Sequence, residues 1–462
     1  MHRHTETTDR TAEPVTGPGA PDAIHELYGG PDELTSARFF EQYLGRTVAS
    51  VEVTPLTADF AHSGSELSRV VVQPARTDAD AVVGTGSGTT EFILKRLNPK
   101  WDWLMQVTED TQCRSVTLWS HGIFDELPQS ADTATIACAR DDEGYAILMR
   151  AVEDRLVTNQ HFSEAQNATF VDSLAAMHAR FLEPAPAEAR VAAGGGAGVG
   201  SAANEGGPAG VTSGAPAPAG RQSRLADPAL GLCHIHDVFR MFSPVAAGRF
   251  AALDRDIHHR IHEGWQRVAE VMPSDVTDVI MPIVSDPQQL VDRLTQFPHT
   301  LVHGDYRHSN LGWDYGRTIM LDWQLATYGP PAIDLGRYIG ANSPFLPVSK
   351  EEILANYRRR LEEHLADEWQ AAARTAQGPG QREPAGYGAP TSDRAAFAGQ
   401  LTDLESWWEP QLYLGLLGGF IQDGWAIALK ATTWEITRDT REHWKADLAW
   451  WTEVIRRGAK YL

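Results

Sequence analysis

Cysteine is scarce in this chain. Only 3 of the 462 residues are Cys, namely Cys113, Cys138 and Cys233. They are far apart and form no Cys-x-x-Cys pair, which excludes a disulfide framework and a cysteine zinc site and suits a reducing compartment. Positive charge is also in short supply: 40 Lys+Arg stand against 61 Asp+Glu, a formal net charge of −21. An excess of that sign repels phosphate backbones and anionic lipid surfaces, so nucleic acid and membrane are excluded as expected partners, while a cationic small molecule would be tolerated or drawn in. Long apolar runs are missing as well. The longest, Leu412 to Ile421, is interrupted by glycines and is about half of the ~20 residues a membrane span needs. The first residues, Met1-His2-Arg3-His4-Thr5-Glu6, are polar where a signal peptide needs an apolar core. Together these features lead to the expectation of a soluble, cytoplasmic chain.

What is present is a globular composition, 42% hydrophobic, with changes of pattern along the chain. Residues 1–30 are rich in Thr, Pro, Gly and charge without apolar periodicity and read as a disordered tail. A helix is expected over Glu33 to Leu44, where Leu34, Phe39, Phe40 and Leu44 recur at near-helical spacing. Strands are expected at Ala49 to Val53, Arg69 to Val72, Glu91 to Leu94, Thr135 to Ala139 and Tyr145 to Met149, with a helical stretch from Trp103 to Trp119 after the third. That order predicts an antiparallel sheet carrying one helix, within residues 31–152. From 153 to 462 the pattern is mainly helical, as in the stretch with Phe170, Leu174 and Met177 on one face. Segments 184–228 and 374–392 consist largely of Ala, Gly, Pro and other small or polar residues; too poor in large apolar side chains to offset ordering entropy, they are expected to be flexible insertions. No period of 20 to 50 residues repeats.

The chemistry concentrates in His303-Gly304-Asp305-Tyr306-Arg307-His308-Ser309-Asn310, followed by Leu321-Asp322-Trp323. Leu311 to Trp313 and Thr318 to Asp322 read as a hairpin around the turn Asp314 to Arg317. If Trp313 faces Thr318, Asn310 faces Leu321 and lies beside Asp322. An amide oxygen and a carboxylate then meet at one end of the hairpin, a pair of hard ligands with vacancies, which suits Mg²⁺ sharing its shell with phosphate oxygens and water. Asp305 is left to orient a hydroxyl and accept its proton, the division of labour that phosphoryl transfer requires.

The spacing His303-x-Asp305-x-x-x-x-Asn310 with Asp322 beyond it resembles the catalytic and metal loops of kinases. His303-Gly304-Asp305 with Asp322-Trp323 is similar to the aminoglycoside phosphotransferase and choline kinase family. The resemblance implies a two-lobe, protein-kinase-like α+β fold, a small antiparallel sheet lobe plus helix and a larger helical lobe. It implies Asp305 as the catalytic base, Asn310 and Asp322 as metal ligands, and His303 and Asp334 as braces of the catalytic loop. Lys95, ending the third strand, corresponds to the phosphate-contacting lysine. Gly64 and Ser65 in the first hairpin loop would contact phosphate, and backbone groups of Arg150 to Val152 would bond adenine; nothing there excludes GTP. Arg307 is a γ-phosphate contact or a surface arginine paired with an acidic neighbour. The family pattern places a glutamate on the helix facing Lys95, but Ser115 falls there, leaving Glu109 as the substitute.

Other features carry no site. Gly84-Thr85-Gly86-Ser87-Gly88 leads into a strand, where a dinucleotide fingerprint must open a helix, and reads as a hairpin loop. Cys233-His234-Ile235-His236 and the pair His258 and His262 lack further ligands at usable spacing and read as helix-surface residues. About a dozen residues separate Asp322 from Asp334, too few for a long activation segment, so a small substrate is expected. Glu405, Trp407, Trp408, Asp423, Trp425, Trp434, Glu435 and Asp439 mix acids with indoles, which suits a cationic or sugar acceptor. The expected activity is ATP- and Mg²⁺-dependent transfer to a small-molecule hydroxyl; the alternative is a nucleotide-binding regulator of the same fold that has lost transfer. The sequence assigns no oligomeric state.

Overall fold

The computed structural model describes residues 24–56, 64–75, 88–158, 160–186, 223–250, 256–376, 404–434 and 438–462. Most of the expected tail, both expected insertions for the greater part, and Gly84 to Ser87 lie outside these residues.

Five strands form the N-terminal sheet: β1 (Val48–Pro55), β2 (Glu66–Pro74), β3 (Thr90–Leu97), β4 (Thr135–Asp141) and β5 (Gly144–Arg150). All neighbouring pairs are antiparallel, in the order β1-β2-β3-β5-β4. Val70, Val72, Phe92, Leu94 and Leu148 are buried under helix α1 (Ala37–Leu44), whose Phe39 and Phe40 cover them. The helix expected from Glu33 is shorter because Ser36 interrupts it: its Oγ accepts from the Phe39 N–H at 3.1 Å, starting a new helix as capping residues do.

The helical stretch expected over Trp103 to Trp119 is likewise two helices, α2 (Trp103–Val107) and α3 (Arg114–Ser120). Asp102 caps the first. The second begins where the Asp110 carboxylate accepts the Arg114 N–H, and the chain between them reverses through positive φ at Glu109 and Cys113.

The remainder is mainly helical, with α4 (Glu164–Phe181), α5 (Asp256–Val271), α6 (Ala332–Asn342), α7 (Lys350–Ala376), α8 (Leu404–Thr432) and α9 (Arg438–Gly458). Two short strands, β6 (Thr300–Val302) and β9 (Thr327–Gly329), pair with each other and flank the hairpin β7 (Leu311–Asp314) and β8 (Arg317–Met320). The apolar run 412–421 lies inside α8, against which α5, α6 and α9 pack. Among the described residues α8 is the one helix long and apolar enough to cross a membrane, and 83% of its most apolar window is buried within the protein.

Glycines set the spacing of α6 and α8. A Cβ on Gly336 would lie 2.3 Å from the Gly415 carbonyl oxygen, and one on Gly419 would lie 2.3 Å from the Gly336 carbonyl carbon. The two backbones therefore touch, and Arg337 and Asp423 meet just beyond that crossing.

The three cysteines are buried and unbridged. Burial pushes the Cys113 and Cys138 thiols well up and takes Cys233 to about 12. His258, expected on a helix surface, is instead 3% exposed, its ring packed edge-on against Trp103 at 5.4 Å. The long apolar side of α5 turns it inward. Among the described residues no group of three or more His, Cys, Asp or Glu could hold a metal by itself.

Candidate active site

The segment following β6 is fixed by the Asp334 carboxylate at the start of α6. It accepts the His303 N–H at 2.7 Å and the Gly304 N–H at 2.8 Å, and His178 Nε2 lies 3.2 Å from it. Gly304 has φ +80, and a Cβ there would come within 2.2 Å of the Leu325 carbonyl oxygen, so only glycine fits. The His303 ring is fully buried: Nε2 donates to the Leu321 carbonyl at 3.0 Å, and Nδ1 accepts the Asp305 N–H at 3.3 Å. Burial lowers its pKa and favours the neutral ring. These contacts are the bracing expected of His303 and Asp334.

The hairpin has the expected register, with Trp313 opposite Thr318 and the Leu321 N–H bonded to the Asn310 carbonyl. Its turn spans the expected Asp314 to Arg317, with Tyr315 and Gly316 both at positive φ, as a two-residue hairpin turn requires. Asn310 Nδ2 donates to the Asp305 backbone oxygen at 3.0 Å and to its carboxylate at 2.8 Å. Asp305, Asn310 and the end of β8 are thereby brought together.

Asp305 is 8% exposed and sits between two guanidinium groups. Arg337 on α6 reaches its Oδ1 through Nε at 2.9 Å and Nη2 at 2.7 Å, while Arg307 Nε lies 3.0 Å from it. Burial alone would raise the carboxyl pKa, but the two arginines hold it far below the usual carboxylate range. Arg307 thus has the acidic-neighbour pairing that was one of its two readings. Arg337 also bonds Asp423 of α8 through Nη1, and its plane covers Phe242 at 5.4 Å. Sequence reading missed Arg337. Its signal was a cation three residues after Asp334, on the same face of an expected helix.

Lys95 lies in β3, 8% exposed. Its Nζ is 3.0 Å from Asp322 Oδ1 and 3.4 Å from Gln324 Oε1. Gln324 in turn donates through Nε2 to Asp102 at 3.2 Å. Glu109 does not supply the missing acid: it is exposed at positive φ in the turn between α2 and α3. The second carboxylate that Lys95 feels is Asp102, because the helix is broken and its N-terminal cap, rather than its body, faces the lysine. Arg114 then fastens α3 to the helical part. Its Nη1 donates to the Gln324 carbonyl at 2.8 Å and its Nε to that of Gly231 at 2.7 Å, with Thr108 taking the remaining bonds. Asp322 itself is at φ 63, an unfavourable conformation for a non-glycine residue that the surrounding bonds must hold.

The other expected residues are placed as follows. Gly64 has φ 103 and Ser65 is buried; residues 57–63 of the same loop lie outside the description. The Arg150 N–H is bonded to the Ala134 carbonyl and the Val152 carbonyl accepts from Arg155, so part of the expected hinge is engaged internally. Val152 instead contributes to a small apolar cluster with Ala134 and Ile319, flanked by Met149, Leu156 and Leu321. Of the acid and indole group, Glu405 is exposed and bonded to Arg358, Trp407, Trp408 and Trp425 are buried, and Asp423 is tied to Arg337. Glu435 and the side chain of Asp439 lie outside the description.

One carboxylate and one amide oxygen, Asp322 and Asn310, fit a hard divalent ion only if phosphate oxygens and water complete the shell, the manner in which Mg²⁺ is held. With the Asn310 amide nitrogen engaged by Asp305, its oxygen is the atom free for that role.

No curated protein sequence matches this chain. Among solved structures, a choline kinase from Cryptosporidium parvum is 10% identical, covering 89% of each chain with a TM-score of 0.38. The choline kinase LicA from Streptococcus pneumoniae is 12% identical over 79% of this chain and 96% of its own, TM-score 0.31. An aminoglycoside phosphotransferase from Streptomyces rimosus is 13% identical over 67% and 93%, TM-score 0.33. The sequence model of the phosphotransferase enzyme family matches residues 72–384, more than half of the chain. On that match, the protein belongs to the phosphotransferase enzyme family.

Proposed function

We propose that this chain transfers the γ-phosphoryl group of ATP to a hydroxyl of a small molecule, with Mg²⁺. The observation that carries the reading is the placement of an ionised, buried Asp305 beside Asn310 and across the hairpin end from the Asp322–Lys95 pair. Mg²⁺, held by Asp322 and Asn310, would neutralise charge on the phosphate oxygens. Lys95 exchanges part of its pairing with Asp322 for a phosphate contact. The Ala134, Val152 and Ile319 cluster covers a flat base, and it does not select ATP over GTP. Asp305 accepts the acceptor O–H proton as that oxygen bonds to the γ-phosphorus, and the bond from phosphorus to the bridging oxygen breaks, releasing ADP. Arg307 must swing off Asp305 for the hydroxyl to enter.

The test is nucleotide consumption and phosphorylated product formation with a panel of hydroxylated acceptors. Asp305→Asn is expected to lower kcat by about 10²-fold or more while nucleotide still binds. A second reading, a regulator without transfer, draws support from the two arginines that occupy Asp305. Nucleotide binding with no turnover by the wild-type chain would establish that reading instead.

A further inference from the structure

The surface beyond Asp305, where an acceptor would lie, is walled by residues 305–310, α6, α8 and α9. Its charges differ from the acidic lining that composition suggests. Asp423 and Asp305 share Arg337, and Asp447 is neutralised by Lys350 and bonded by Ser343. Two cations remain incompletely matched. Arg307 meets Asp305 through Nε alone, leaving its two terminal nitrogens for another ligand. Lys430 lies two turns beyond Asp423 on the same face of α8. It is half-buried against the rings of Trp444 at 4.3 Å and Trp434 at 5.7 Å, and has no ion pair among the described residues.

These groups lie close enough to act on one another electrostatically. Lys430 is influenced by Asp423, Arg307, Arg337 and Asp447, and burial lowers its pKa. Both Arg307 and Lys430 act on His308. The His308 N–H and ring Nδ1 bond Asn342 Oδ1 at 2.7 and 3.1 Å, which leaves the buried Asn342 Nδ2 without a partner, as is Asp423 Oδ2. Beside them, the three cations Arg307, Arg337 and Lys430 stand against the two carboxylates Asp305 and Asp423. Keeping a lysine desolvated without a directly paired carboxylate is costly, and an anion brought by a ligand offsets that cost. A polycationic acceptor would meet repulsion at the same place.

We infer that this wall is an acceptor subsite for a carboxylate: Lys430 and Arg307 bind the anionic group of a hydroxylated acid. The acceptor is a hydroxy acid or sugar acid rather than an amino alcohol or aminoglycoside. This rests on the phosphotransfer reading above and names the substrate class of that site. The same cations could instead serve the transferred phosphoryl group, and the experiment separates the two.

The full chain is assayed with Mg²⁺ and ATP against matched acceptors: gluconate, glucose and glucosamine, and glycerate, glycerol and 3-amino-1,2-propanediol. Phosphorylated product is followed by mass spectrometry and nucleotide consumption in parallel. The acid of each set is expected to have a kcat/KM at least about tenfold above its amine. Lys430→Ala and Lys430→Met, the latter keeping the packed stem, are expected to raise the KM for the acid about tenfold or more. The KM for ATP should stay within about twofold, Lys430→Arg should restore the acid KM, and thermal unfolding should verify that each variant is folded. Preference for the amine, or no transfer to any acid, overturns the subsite while continued transfer to another acceptor leaves the phosphotransferase reading intact. A loss confined to ATP KM overturns it in favour of a phosphoryl contact. Failure to consume nucleotide with every acceptor removes both.

Discussion

Arg337 joins three parts of the chain through one planar side chain: the loop bearing Asp305, its own helix α6, and Asp423 on α8. Removing it would leave the buried Asp423 carboxylate without its ion-pair partner and Asp305 with Arg307 alone, and breaking a buried pair in this way typically costs about 3–5 kcal/mol. Arg337→Met is therefore expected to lower the urea midpoint strongly, and adding Asp423→Leu should recover part of the loss by removing one orphaned charge. Gln324 is a second such residue. Its amide stands between Lys95 and Asp102, so Gln324→Leu should free the lysine and raise the KM for ATP more than it lowers kcat, by an amount matching ~1–2 kcal/mol; steady-state kinetics at saturating acceptor decides this. That Asp305, Asn310 and the hairpin end before Asp322 lie together was legible because their spacing falls within one short segment, where strand and turn patterns are local. Arg337, Gln324 and Arg114 were not, since their partners lie on elements brought close only by tertiary packing. Glu109 failed as a choice for the same reason: helical periodicity does not reveal that Asp110 and Arg114 end one helix and start another.

The crossing of α6 and α8 decides where those side chains meet. Their contact is backbone on backbone at Gly336, Gly415 and Gly419, so a methyl group has no rotamer with which to escape. Gly336→Ala is expected to destabilise by about 1–3 kcal/mol or more and to lower activity in the surviving folded fraction by shifting Arg337 away from Asp305. Chemical unfolding and kcat measured on the same preparation separate the two effects. The β7–β8 hairpin was readable down to its register, because alternation and turn chemistry are local. The tightness of the helix crossing was not, because a glycine in a helical pattern reads as a defect until its neighbour is known.

For the whole molecule, burial of neutral histidines should make stability depend on pH. His299, 2% exposed, has its pKa lowered to about 4 by burial. The unfolded chain therefore binds more protons between about pH 4 and 6.5, and stability should be level above that window and fall through it, by about 2 kcal/mol at pH 5 from this group alone. Urea midpoints at pH 7 and pH 5 should differ less in His299→Phe than in the parent. The antiparallel sheet followed by helices was legible from the change of period along the chain. The charge of −21 is a sum over the whole chain and does not specify which few charges packing turns toward Asp305.

The three buried thiols described above give the molecule internal clocks of its own motion. Folded, all three are buried, and they report on two regions: Cys138 in β4 and Cys113 at the cap of α3 share one apolar cluster, whereas Cys233 lies beside β9 in the helical part. Each becomes reactive only when its surroundings part, so the order of modification would time the loosening of the sheet with its helix cap against that of the helical body, in the unaltered chain.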